Sequence, residues 1–304
     1  MVPQASFEWD SQELTSLIRA ALEEDIGRGD ITAAALIPAD AGATARIITK
    51  LELVLAGLPL AERVFNALGS TIAWKPAFAD GALVPSGATI AMLTGRARAI
   101  LSAERTALNF LARLCGVATL TRRFVEAIAG THAQIRDTRK TTPLLRALEK
   151  YAVRAGGGTN HRMGLFDAFL IKENHIALAG GIAEAIRRAR ARPPAETTAY
   201  ESFAPPEATP IEVEVRNEAE LREALAAGAD AVLLDNLSPV EAARLIEIVR
   251  STRRDCVVEI SGGVNLSNVR AYAEAGADFI SIGALTHSAP AADLSLLVEP
   301  PGVR

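Results

Sequence analysis

Residues 227–236 read "AGADAVLLDN" and residues 275–284 read "AGADFISIGA". The two stretches share one grammar. A helical run gives way to Gly, which takes the left-handed turn that closes a helix. Ala-Asp follows, and then an apolar run of the kind found in a strand buried on both faces. Two copies of helix–Gly-Ala-Asp–strand predict parallel strands joined by helical crossovers.

The same alternation extends on both sides of the repeat. Strands are predicted at 133–137 ("AQIRD"), 168–172 ("AFLIK"), 211–215 ("IEVEV"), 231–235, 257–261 ("VVEIS") and 279–283. Helices fit at 180–191, 218–227, 238–251 and 265–275. Six such strands predict a (β/α) barrel, with an open doubly wound sheet as the alternative. The first third of the chain has another texture. Leu14, Leu17, Ile18 and Leu22 are spaced for an amphipathic helix. Residues 43–95 are β-rich around a helix at 59–69, and 98–129 are helical with a break expected at Cys115-Gly116. This gives an N-terminal α/β domain over 1–116, a barrel domain over 117–290 and a C-terminal tail over 291–304. The stretch 192–210, rich in Pro, Thr and Glu, reads as a loop.

Bulk properties narrow the function. The chain has 304 residues, 49% hydrophobic and 22% charged, with net charge -4. An acidic balance argues against nucleic-acid binding. The longest apolar run, "LVLAGLPLA" (53–61), is too short for a membrane span. The N-terminus shows neither the basic nor the apolar region of a signal peptide. The two cysteines, Cys115 and Cys256, form no disulfide framework or metal cluster, which fits a reducing cytoplasm.

Charge is nevertheless concentrated. Between His132 and His175 lie eight Lys/Arg and four Asp/Glu, a local +4 in a chain whose remainder sums to -8. Within it "RDTRKTTP" (136–143) gathers Arg136, Arg139 and Lys140. A solvated face is the plain reading of such a run. Here, however, the cations alternate with strand-like runs and glycines.

Active sites of parallel barrels lie at the C-terminal ends of the strands. Those ends carry, in order, Thr138, Arg139 and Lys140; Lys172 to His175; Glu214; Asp235 and Asn236; Ser261, Gly262 and Gly263; Gly283 and Ala284. Arg139, Lys140 and Lys172, with "NHR" (160–162), form a cationic wall suited to carboxylates or phosphates. Glu214 and Asp235 suit ribose hydroxyls, or Mg²⁺ held through water. The "SGG" and "SIGA" turns offer backbone N–H groups to phosphate. His132 reads as structural, and His287 as either a helix cap or a phosphate contact. Arg146, Lys150 and Arg154 read as an exposed helix face, and Glu212 as solvated lower in the barrel.

With "RDTRKTTP", "GGGTNHRMGLFDAFLIKENHI", "IEVEV", "VLLDN", "EISGGVN" and "ISIGALTHS", the chain resembles the quinolinate phosphoribosyltransferases. "EDIGRGDIT" and "AERTALNFLARLCGVATLT" extend the resemblance over about residues 22–290. It implies an N-terminal α/β sandwich and an open seven-stranded α/β barrel, with 151–157 ("YAVRAGG") as the seventh strand. It implies transfer of phosphoribosyl from phosphoribosyl pyrophosphate to quinolinate, with loss of carbon dioxide and a requirement for Mg²⁺. Arg139, His161, Arg162 and Lys172 would bind the dicarboxylate, with Thr138 and Lys140 beside them. Lys140, Lys172, Glu214 and Asp235 would act at the reacting centre, the last two at the metal. Ser261, Gly262, Gly263, Gly283 and Ala284 would hold the 5′-phosphate, with Ile282 and His287 in the same substrate-binding set. Arg105 would reach a neighbouring subunit's site, which implies a homodimer or higher homo-oligomer with shared sites. Three other readings stay open on the residues alone: a Schiff-base barrel enzyme using Lys172, a non-catalytic anion binder, and a phosphoribosyltransferase for another acceptor such as nicotinate.

Overall fold

The computed structural model describes residues 7–69, 71–191 and 209–299, so nearly all of the Pro-rich stretch 192–210 lies outside the described residues. In chain order the elements are α1 (Gln12–Ile26), α2 (Ile31–Leu36), β1 (Gly42–Thr49), β2 (Leu53–Val54), α3 (Leu58–Asn66), β3 (Ala73–Pro76), β4 (Leu83–Val84), β5 (Thr89–Arg96) and the long α4 (Ala97–Ala127). There follow β6 (Gln134–Arg136), α5 (Arg146–Ala155), β7 (Phe169–Ile171), α6 (Glu173–Ala179), α7 (Ile182–Ala191), β8 (Ile211–Val215), α8 (Glu218–Ala226) and β9 (Ala231–Asp235). The last are α9 (Pro239–Thr252), β10 (Val257–Ser261), α10 (Val269–Glu274), β11 (Phe279–Ser281), α11 (Ala284–His287) and β12 (Leu294–Glu299). They divide into two compact units that do not follow chain order. One takes residues up to 122, 142–157 and from 288 onward; the other takes 123–141 and 158–287.

The first unit is built on an antiparallel sheet of order β12-β1-β5-β3. β1 shows the period-2 signature of a half-buried strand: Ala43, Ala45, Ile47 and Thr49 are buried and their neighbours are not. Along α4, Ile100, Ala103, Ala107, Leu111 and Leu114 recur at helical spacing and are buried. Four expectations are corrected here. The helix does not break at Cys115-Gly116. Gly116 serves close approach instead, since a Cβ there would stand 2.0 Å from the Pro290 carbonyl oxygen. Residues 294–299 of the supposed tail form strand β12, paired antiparallel with β1 from Thr44↔Glu299 to Thr49↔Leu294. Residues 151–157 are not a seventh strand but the end of α5 and its cap. Leu148 and Ala152, and Glu149 and Val153, repeat every four residues on its buried face. At that cap a Cβ on Gly156 would lie 2.5 Å from the Ala118 carbonyl oxygen. So wide a buried face also takes in Lys150, which is 1% exposed, against its reading as part of a solvated face.

The second unit is the parallel sheet, of order β6-β11-β10-β9-β8-β7. It has six strands where seven were expected. In the seventh place, outside β6, stands a single parallel bridge between Arg136 and Thr159. Val232, Leu234, Val258, Ile260 and Ile280 are fully buried. Burying each such side chain contributes roughly 1.5–3 kcal/mol. The alternate positions, Asp235, Glu259, Ser261 and Ser281, share the opposite face of the same strands. The repeat first noticed in the sequence has a structural cause. Gly228 and Gly276 take φ of 86° and 98°, out of reach of most side chains. The Asp230 carboxylate then accepts the Ile211 N–H at 2.8 Å, and the Asp278 carboxylate accepts the Val258 N–H at 2.7 Å. Each aspartate thus fastens the entrance of the neighbouring strand, at the end opposite the expected site.

Candidate active site

The cationic wall begins where β6 ends. Asp137, fully buried, accepts the main-chain N–H of His161 at 2.8 Å and the Asn160 side-chain amide at 2.6 Å. This ties the "NHR" turn to the "TRK" turn and brings Arg139 and Arg162 together. Arg162 donates one Nη1–H to the Ala168 carbonyl at 3.0 Å. Its guanidinium is held below its ordinary pKa by burial first and by the Arg139 cation second, with Asp167 and Glu212 acting the other way. The Nε–H groups of Arg136, Arg139 and Arg162 are all buried without a hydrogen-bond acceptor. Two neighbouring guanidinium groups with buried, unmet donors are costly unless an anion completes them.

The acidic half adjoins the wall. Lys172, at the N-terminus of α6, donates to Glu214 at 2.8 Å. Its main-chain N–H is accepted by His175 Nδ1 at 3.0 Å, which fixes the "KENH" turn. Asp235 is held above the usual aspartate range, by burial first and by the Glu214 carboxylate second. Asn236 (through a 2.7 Å bond from its amide), Lys172 and Lys140 pull it down. The two carboxylates and two ammonium groups are therefore electrostatic neighbours.

The glycine turns complete the set. Asn236 sits at φ 55°, and its side-chain oxygen would lie 2.2 Å from a Cβ on Gly262, itself at φ 90°. Gly262 is thus required both by its conformation and by its neighbour. A Cβ on Gly283 would meet the His287 ring and the Lys140 stem, each at 3.1 Å. The Thr286 hydroxyl donates to the Lys140 carbonyl at 2.8 Å, which holds the "TRK" turn against α11. Ala284 opens that helix. Ile282 differs from its neighbours: it is 2% exposed and its N–H goes to the Arg136 carbonyl at 2.9 Å, so it offers no backbone donor to a ligand.

Beneath the wall lies a charged layer that sequence reasoning missed. Glu259, fully buried in mid-strand, accepts from Arg136 Nη1 and from the Ser281 hydroxyl. The Arg136 guanidinium lies 3.4 Å over the Phe279 ring. His161 Nε2 is 3.2 Å from a Glu212 oxygen and 3.5 Å from a Glu259 oxygen. Burial first, then the Glu212 carboxylate, raises the Glu259 pKa; His161, Arg136 and Ser281 oppose the rise. Glu212, read as solvated, is 8% exposed because its strand faces this interior. His161, Glu212 and Glu259 present ligand atoms within 4.8 Å of one another, but Arg136 and Ser281 already fill the Glu259 carboxylate. The signal available in the sequence was a charge within three predicted strands: Arg136, Glu212 and Glu259.

All the expected site residues except Arg105 belong to the second unit. That residue is exposed on α4 in the first unit. No helix among the described residues is long and apolar enough to cross a membrane.

Residues 30–115 match the family model described as quinolinate phosphoribosyl transferase, N-terminal domain, and residues 117–297 match the C-terminal domain of the same family. A Bacillus subtilis protein named probable nicotinate-nucleotide pyrophosphorylase [carboxylating] is 40% identical over 284 residues, 93% of each chain. The Mycobacterium leprae nicotinate-nucleotide pyrophosphorylase [carboxylating] is 42% identical over 285 residues, 92% of this chain and 95% of its own. Among solved structures, the nicotinate-nucleotide pyrophosphorylase of Francisella tularensis superposes with a TM-score of 0.84 at 42% identity, covering 94% of this chain and 96% of its own. That of Ehrlichia chaffeensis does so with a TM-score of 0.84 at 37% identity, covering 97% and 100%. With both family domains matched in order and relatives near 40% identity along almost the whole length, the chain belongs to the quinolinate phosphoribosyltransferase family.

Proposed function

We propose that the protein is a carboxylating nicotinate-nucleotide pyrophosphorylase. It joins the ring nitrogen of quinolinate to C1′ of phosphoribosyl pyrophosphate, releases pyrophosphate and carbon dioxide, and gives nicotinate mononucleotide for NAD biosynthesis. The observation that carries this reading is the pair Arg139 and Arg162, two adjacent guanidinium groups whose buried Nε–H donors have no acceptor. A substrate with two adjacent carboxylates supplies both acceptors and both charges.

Arg139, Arg162 and Lys172 hold the dicarboxylate and aim the ring nitrogen at C1′. Backbone donors of Gly262, Gly263 and Gly283, with Ser261 and Ala284, take the 5′-phosphate. As the C1′–oxygen bond breaks, C1′ gains oxocarbenium character and the leaving pyrophosphate gains charge, which Lys140 stabilises. The N–C1′ bond leaves the pyridinium nitrogen positive. That charge stabilises the carbanion left when the adjacent carboxylate departs as carbon dioxide, and a proton then replaces it. Glu214 and Asp235 hold the ribose hydroxyls.

The same two residues fit Mg²⁺. They are hard oxygen donors, adjacent enough for one to raise the other's pKa, and Lys172 on one Glu214 oxygen favours binding through water over direct ligation. Held there, the ion would supply charge neutralisation for the departing pyrophosphate. A Schiff-base role for Lys172 is disfavoured by its 2.8 Å contact with Glu214, which engages the amine that a nucleophile must keep free.

The direct test supplies quinolinate, phosphoribosyl pyrophosphate and Mg²⁺ and follows carbon dioxide and nicotinate mononucleotide. Product from nicotinate but none from quinolinate would reassign the acceptor and keep the class.

The active unit is a homodimer or higher assembly with shared sites, and Arg105 acts in a neighbouring subunit's site; family resemblance supports this. Arg105→Ala and Lys172→Ala are each expected to be nearly inactive. Mixed after reversible dissociation, they should regain up to about a quarter of wild-type activity, because half the dimers are mixed and each mixed dimer has one intact site. No regain would place Arg105 in its own chain's site.

A further inference from the structure

The charged layer below the wall touches the wall at one atom. The His161 ring is almost enclosed, with 9% of its side chain exposed. Its Nδ1 accepts the main-chain N–H of Arg162 at 2.7 Å. Its Nε2 faces Glu212 at 3.2 Å and Glu259 at 3.5 Å. A nitrogen that accepts carries no proton, so the ring proton belongs on Nε2, where two carboxylates are placed to receive it. The imidazole is therefore a strut. One edge is gripped by buried glutamates and the other sets the backbone from which the Arg162 side chain leaves.

Glu212 carries the decisive signal. One of its oxygens faces His161, while Oε1 is buried with no hydrogen-bond partner. Leaving a carboxylate oxygen unmet in the interior is costly, and a purely structural role would be met more cheaply by an aliphatic side chain. Glu259 cannot replace it, because Arg136 and Ser281 already occupy its carboxylate.

We propose that Glu212, with Glu259 behind it, is a positioning residue for quinolinate recognition. It fixes the tautomer and tilt of His161, and through the His161 Nδ1–Arg162 N–H bond it sets where the Arg162 guanidinium enters the site. On this assignment His161 acts mainly inward and is not a direct ligand of the substrate carboxylates. The inference rests on the functional reading above and deepens it.

The test compares wild type with Glu212→Gln, which keeps an acceptor for the His161 Nε2–H, and Glu212→Leu, which does not. In the full chain, the Leu variant should raise the KM for quinolinate by about tenfold or more, with the KM for phosphoribosyl pyrophosphate and kcat within about twofold. The Gln variant should recover most of the loss. Equal shifts in both KM values, an unchanged quinolinate KM in the Leu variant, or no recovery with Gln would overturn the proposal. Nitrogen-15 NMR of the imidazoles supplies a second readout that needs no substrate, and only four histidines have to be assigned. His161 should carry its proton on Nε2 in wild type and in the Gln variant. A proton on Nδ1 in wild type would sink the positioning role while leaving the enzymatic reading intact. Absence of turnover with quinolinate by wild type would instead sink the enzymatic reading, and the ring tautomer would still judge the strut.

Discussion

Arg113 and Arg162 are both partly buried arginines, one in each unit of the molecule, and they are used in opposite ways. Arg113 donates through Nε and Nη2 to one oxygen of the buried Glu149, at 3.0 and 2.7 Å, and through Nη1 to the Ala289 carbonyl at 3.0 Å. Glu149 in turn accepts from the main chain and hydroxyl of Thr142. Every member of that group is satisfied within the unit. Arg162 has one carbonyl partner, a second cation beside it and a buried Nε–H with no acceptor. Arg63 in the first unit and Arg136 in the second also bury an Nε–H without an acceptor, but each is joined to a carboxylate, Asp10 and Glu259, whereas Arg162 donates to a carbonyl and has the Arg139 cation beside it. That difference, rather than the count of positive charges, marks the candidate site.

The sharpest way to break this contrast is a pair of alanine substitutions. Arg139→Ala and Arg162→Ala should each weaken quinolinate binding by about 2–5 kcal/mol, far more than phosphoribosyl pyrophosphate binding, with little change in thermal midpoint. Arg113→Ala should do the reverse. It strands the buried Glu149 carboxylate and should cost about 3–5 kcal/mol of stability, while the folded fraction binds quinolinate normally. Calorimetry and denaturant unfolding on the same samples check both halves. Similar stability losses in all three variants would erase the distinction.

Within the second unit the acidic half provides a finer contrast. Glu214→Ala and Asp235→Ala should raise the Mg²⁺ concentration needed for half-maximal rate by about 10–100-fold, as expected for groups acting through metal-bound water. Quinolinate affinity should stay nearly unchanged. An unaltered Mg²⁺ profile in both variants would remove these residues from the metal.

The smallest expected effect compares the interiors themselves. Cys115 lies in the first unit and Cys256 in the second, both buried. Burial, the largest cause in each, pushes their thiols from 9.0 up to about 12 and about 11. At about pH 8 the native protein should resist alkylation at both, and the denatured protein should react at both. Raised thiol pKa values leave stability unaffected below pH 9.0, where both states are protonated. Stability should then fall as the pH climbs from 9.0 toward the folded values, because only the unfolded chain ionises freely. Peptide mapping of the slow native reaction ranks local opening in the two units.

Much of the site was legible because its information is local. Thr138, Arg139 and Lys140 come just after β6, Lys172 follows β7, and Asp235 and Ser261 are the last residues of β9 and β10. A strand followed by polar residues reads the same in one dimension as in three. His161 was legible as a site residue, yet its partners were not. Glu212 and Glu259 sit inside strands, where period-2 alternation tells which residues share a face but not which face is enclosed. The Arg136–Glu259 pair joins residues 123 positions apart. Nothing in either neighbourhood announces the other.

The sequence by itself determined the parallel architecture, through the Gly-Ala-Asp repeat. Gly228 and Gly276 supply a backbone conformation and Asp230 and Asp278 a strand clamp, both set by residue chemistry over a few positions. It also determined the list of groups at the strand ends. Tertiary structure alone decided three further matters. It enrolled residues 294–299 as an edge strand against β1, folded 146–155 as a helix of the first unit with Lys150 inside, and left the seventh barrel place to one bridge at Thr159. It also decided which cations would be completed internally and which left open. Pairing of charges and strands far apart in the chain depends on closure of the whole fold, and no short window of residues contains that term.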